Sequence, residues 1–137
     1  MMKTGLAMLA VFVAWSILGY VLHGVILTST YAATPQLWRP MSDYKLTLGY
    51  LVTILSAICF VVVYAQWITD KQLKTGLLYG LVFGIGSGVS MGYGSYAVMP
   101  IPYTLALSWF LGMVVNGVAG GAIVALILRG DTRPARA

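Results

Sequence analysis

Four long runs without a charged side chain limit what this chain can fold into. They cover residues 5–27, 46–68, 75–99 and 103–128, and each is 23 to 26 residues long. At about 1.5 Å per residue, a helix of any of them outreaches the roughly 30 Å hydrocarbon core of a bilayer. Inside lipid every backbone N–H and C=O must be paired within the protein, which leaves only helices or closed barrels. Barrel strands alternate polar and apolar positions over about ten residues. These runs are continuous and more than twice that length, so the expected fold is all-α. It is an integral membrane four-helix bundle with antiparallel neighbours, forming one domain over residues 1–137.

Composition supports the same solvent. With 60% hydrophobic and 8% charged residues, too few charges remain to cover a water-soluble globule, and disorder is excluded by the hydrophobicity. The formal charge of +5 would suggest nucleic acid in a soluble chain. Here the basic residues lie between the apolar runs, so they read as topology signals and nucleic acid is not an expected partner. The bilayer is one, with a homo-oligomer or a larger membrane protein as a further candidate.

Counting those charges orients the chain. Lys3, Lys71, Lys74, Arg129, Arg133 and Arg136 fall on one side of four spans, and Arg39 and Lys45 on the other. The positive-inside rule puts the richer side in the cytoplasm. Both termini are therefore expected inside a bacterial-type inner membrane, with residues 28–45 as an outer loop and 129–137 as a basic cytoplasmic tail. Lys3 gives the first run a basic start, but the run is too long for a signal-peptide core, so an uncleaved helix is expected.

The strongest local pattern is a glycine ladder, Gly80, Gly84, Gly88 and Gly92, with Gly86 and Gly94 beside it. Residues four apart share a helix face, and small residues there let another backbone approach closely. Packing within the bundle leads this reading. Oligomer or subunit packing follows, then a backbone-lined ligand or permeation path. Gly112 and Gly120 flank Asn116 on the fourth run and are expected to pack similarly. Six glycines between positions 80 and 94 weaken the helix, and its outer end (GYGSYAVMPIP) is expected to unwind.

His23 and Asn116 are the polar groups to watch. His23, the single histidine, lies on a stripe with Gly19 and Ser16 expected to face the interior, and intramembrane ionisable groups mark functional sites. Asn116 needs hydrogen-bond partners in hydrocarbon. Tyr31, Trp38 and Arg39 in the outer loop are expected to cap the bundle near His23, Arg39 pairing with Asp43, a headgroup phosphate or an anionic ligand. Loops carry function more often than cores do.

One cysteine and one histidine exclude an intrachain disulfide, a CxxC site or a histidine-cluster metal site within the chain. Cys59 is expected to be buried and inert. The three acids, Asp43, Asp70 and Asp131, all lie outside the runs. Small four-helix multidrug exporters resemble the chain in size, but they depend on a glutamate in the first span that is missing here. No catalytic constellation is present and no cofactor is expected. The leading function is therefore a non-enzymatic structural or accessory subunit. The alternatives are a small oligomeric transporter or channel with a path past His23 and Asn116, or a haem- or copper-binding protein using His23.

The layout, in which a first helix runs into the aromatic loop HGVILTSTYAATPQLWRP and three further spans follow with a glycine-rich fourth, resembles small four-helix bacterial membrane proteins of unknown function. That resemblance covers most of the chain and implies the fold and the membrane, with no activity attached.

Overall fold

The computed structural model of the chain describes residues 2–130 and is helical through most of them, with no strand among the described residues. Four helices are long and apolar enough to cross a membrane: the first, Met2–Ile26; the second, Leu46–Trp67; the third, Leu73–Val98; and the fourth, Tyr103–Leu128. The fourth helix has the limits of the fourth apolar run, and the ends of the other three lie within three residues of theirs. Of the expected basic tail, residues 131–137, with Arg133 and Arg136, lie outside the described residues.

Helix ends fall where the local chemistry puts them. Met99 is extended because it precedes Pro100, and Pro102 opens the fourth helix, its carbonyl accepting from Leu105 and Ala106 at 3.0 and 3.2 Å. The loop after the first helix holds one turn of helix, Thr28–Ala32, and two tighter turns, Pro35–Leu37 and Met41–Asp43. Gly130, at φ 77, is left-handed just after the fourth helix, a conformation glycine adopts without strain.

Two of the long helices widen locally. Tyr20–Ile26 in the first and Val89–Gly94 in the third are π-helical, a form usually confined to single turns and often found at functional sites. The glycine-rich end of the third helix therefore does not unwind as expected. It widens through Gly94 and stays helical to Val98.

The closest contact in the molecule is between the third and fourth helices. Gly76, Gly80, Gly84, Gly88 and Gly92 are all buried. In that order they meet Gly121 and Ala125, Gly117, Met113 and Val114, Phe110, and Ala106, so the two helices run in opposite directions. Gly117 and Gly121 answer from the fourth helix, facing Gly80 and Gly76 in turn. A methyl at Gly84 would lie 2.8 Å from the Met113 carbonyl oxygen and from Val114 Cα, so only glycine lets the backbones come this close.

The first helix packs on the fourth and the second helix on the first. Aromatic rings join the second helix to the third: Tyr79 lies 4.6 Å from Phe60, centre to centre, and its hydroxyl donates to the Phe60 carbonyl at 2.7 Å. Two buried clusters result. The larger holds Val11, Trp15, Phe60, Tyr64, Val124 and Leu128, near the end where the first helix begins and the fourth ends. The smaller, at the opposite end, holds Leu27, Ile101, Leu105, Ala106 and Trp109.

Lys71 closes the second helix. Its ammonium donates to the carbonyls of Tyr64 (2.6 Å), Ala65 (3.3 Å) and Ile68 and sits 4.7 Å from the centre of the Tyr64 ring. The last carbonyls of a helix have no partner within it and carry partial negative charge, which a cation satisfies on both counts. Asp70 does the converse for the third helix, accepting from the Gln72 N–H at 3.2 Å and the Thr75 hydroxyl at 2.5 Å.

Candidate functional site

The loop after the first helix folds its aromatic residues over one end of the fourth. Tyr31, on the short turn of helix, is the hub. Trp109 Nε1 donates to its hydroxyl oxygen at 2.9 Å, and His23 Nδ1 lies 2.6 Å from the same oxygen. Trp38 packs edge-on against Tyr31 at 5.0 Å and against Trp109 at 6.1 Å, and its indole N–H donates to Thr34 Oγ1 at 3.0 Å. His23 stacks on Tyr31 with the rings 19° apart. The loop and two long helices are thus tied together by one phenol.

An indole N–H can only donate, so Trp109 uses one lone pair of the Tyr31 oxygen. Two proton arrangements then satisfy the network. The phenol donates to His23 Nδ1, with the imidazole proton on Nε2, or Nδ1–H donates to the second lone pair of the phenol oxygen and leaves Nε2 free. Burial raises the Tyr31 phenol above its ordinary value of 10.0; the Trp109 N–H pulls the other way and Tyr44 adds to the rise.

His23 itself is exposed at the edge of the first helix, and its ring lies against Tyr31 and 6.4 Å from the Trp109 ring of the fourth. Arg39 is exposed too, in a shallow depression with Trp38, Tyr44, Lys45 and Leu48. Its expected partner Asp43 instead accepts from Ser42 at 3.4 Å. His23, Tyr31 and Trp38 come together, and Arg39 shares a depression with Trp38 but makes no hydrogen bond to the other two among the described contacts.

Asn116 lies elsewhere. It is seven residues beyond Trp109 on the fourth helix, about 10 Å along the axis, where its backbone carbonyl accepts from Trp15 Nε1 at 2.7 Å. Its side-chain oxygen is buried without a hydrogen-bond partner. Gly112 and Gly120 share its face: Gly112 meets the Leu22 side chain, and Gly120 lies against Trp15 and Phe60. They receive side chains of the first and second helices, and Gly117 and Gly121, not they, answer the ladder. Cys59 is exposed on the second helix, outside the protein core.

Three features were missed in the sequence. Gly76 extends the ladder by one more interval of four, and Gly117 and Gly121 repeat that interval on the fourth helix, so spacing alone could have found them. Trp109 had no such signal, because an indole in an apolar run looks like any other large side chain. No group of three or more His, Cys, Asp or Glu side chains that could hold a metal occurs among the described residues.

Against known proteins, no family model, no curated sequence and no solved structure matches the chain.

Proposed function

We propose that this is a non-enzymatic structural or accessory protein of a bacterial-type inner membrane. Its four helices form a bundle with antiparallel neighbours and both termini in the cytoplasm. The observation that carries this reading is the glycine seam, in which five glycines of the third helix are buried against the fourth. Lipid tails are as apolar as leucine, so helices in a bilayer are held by close packing and not by water exclusion. A seam of this length is a device for holding two spans together. Because it is filled by the chain's own fourth helix, it supports the bundle itself, and an accessory role would use other faces.

Gly88→Leu tests the reading, with Gly86→Leu as the control. A side chain at Gly88 meets the Phe110 carbonyl at 2.8 Å, whereas Gly86 has nothing within 4 Å. The expected result is a lower unfolding temperature in mild detergent for Gly88→Leu only. Equal stability of the two variants would defeat the packing role.

A second reading, an oligomeric transporter or channel, draws on the unpartnered Asn116 side-chain oxygen. A buried amide oxygen without a donor is costly, and a passing solute or water would supply one. Flux into liposomes should then fall in Asn116→Leu, and unchanged flux in that variant would remove Asn116 from any path.

A further inference from the structure

We propose that the cleft between the second-to-third helix connection and the end of the fourth helix binds the phosphate headgroup of an anionic phospholipid. The inference rests on the membrane reading above.

Lys71, Lys74 and Arg129 line this cleft, together with Asp70, Gln72 and Leu73. Among the described residues three cations and one carboxylate line it, and both oxygens of that carboxylate are engaged, by Gln72 and Thr75. Lys71 is held as a wall of fixed charge by the carbonyls of the second helix. Lys74 and Arg129 are exposed, and they supply the donors. A guanidinium binds a phosphodiester through two parallel N–H bonds, and an ammonium binds it as a point charge.

The surroundings select a lipid over free phosphate. Trp67, 68% exposed at the end of the second helix, is the kind of amphipathic ring that settles at the headgroup level. Leu73 lines the cleft and is 46% exposed, and Leu77, one turn along the third helix, is also exposed at 36%. Residues four apart share a helix face, so an apolar track leads from the phosphate site along the span, where the first acyl methylenes would lie. Cationic head and oily track together match an anionic phospholipid. Basic pockets between spans on the cytoplasmic side have this preference in general.

The test uses the full chain in nanodiscs of phosphatidylcholine doped with phosphatidylglycerol, followed by native mass spectrometry of the lipids retained. Wild-type protein should retain phosphatidylglycerol over phosphatidylcholine. Lys74→Gln should weaken that retention about five-fold, and Lys74→Gln with Arg129→Gln about 25-fold, as expected for loss of one and two surface charges. Arg39→Gln, at the opposite end, should match wild type. Equal retention of the two lipids by wild type, or unchanged preference in the double variant with native helicity, would overturn the site. So would displacement by excess inorganic phosphate together with an equal thermal shift from phosphate alone, which would mark a phosphate site with no lipid preference. Alkaline carbonate extraction separates the two claims: release of the chain from membranes defeats the membrane reading as well, whereas retention without lipid preference defeats only the lipid site.

Discussion

Tyr31 concentrates more of the loop's structure in one atom than any neighbour does. Its oxygen serves both Trp109 Nε1 and His23 Nδ1, so Tyr31→Phe strands the buried indole donor, while the exposed imidazole turns to solvent. Hydrogen bonds of this kind contribute about 1 kcal/mol each, and a stranded buried partner costs about 1–3 kcal/mol. The variant should unfold at a lower temperature, by an amount corresponding to about 1–3 kcal/mol, in a detergent melt. The phenol also sets an alkaline limit. Burial raises its folded-state pKa above 10.0, whereas the unfolded chain ionises at the ordinary value. Stability from the neutral phenol is therefore fully present below pH 10 and is lost as pH rises through the folded value. A melting temperature that is flat through neutral pH should fall above about pH 10, and part of that fall should vanish in Tyr31→Phe.

At the scale of the helix, the two connections at the ends of the third span work differently. Pro100 and Pro102 stop and restart the chain by geometry, since neither has an N–H to continue a helix. The other connection, 68–72, works by charge, with Lys71 on the last carbonyls of the second helix and Asp70 at the start of the third. Lys71→Met keeps an unbranched side chain and removes the donors. A cation at a helix C-terminus contributes about 0.3–1 kcal/mol, and up to about 2 kcal/mol when partly buried. The variant should lose stability in that range, with faster amide exchange over the last turn of the second helix while the third helix stays protected. Uniform loss of protection along both helices would show that Lys71 holds more than a helix end.

For the whole molecule, the glycine seam is one side of an uneven assembly. The third and fourth helices touch along the length of the ladder, from Gly76 to Gly92, whereas the second helix buries residues only from Ala57 to Tyr64 and is exposed over most of its opening turns. That open half makes little contact with the other long helices. The proposed orientation has a direct check. Reporter fusions after Gly130 and within residues 69–72 should read as cytoplasmic, and fusions within residues 34–44 as external. A fusion after Gly130 that reads external would reverse the assignment made from Lys3, Lys71, Lys74 and Arg129.

The number of long helices, their approximate limits and the solvent they suit were legible from the chain alone, because uncharged length and proline position act through local backbone physics. Glycine spacing also announced a close-packed face, since periodicity is a property of one helix. Which surface fills that face was decided only in three dimensions. Gly117 and Gly121 answer it, while Gly112 and Gly120, equally glycine and equally spaced, receive Leu22, Trp15 and Phe60 instead. Likewise His23 and Tyr31 could be suspected as neighbours eight residues apart, but Trp109 joins them across 78 positions. Side-chain pairing between helices depends on their rotation and register, and no one-dimensional pattern carries that information.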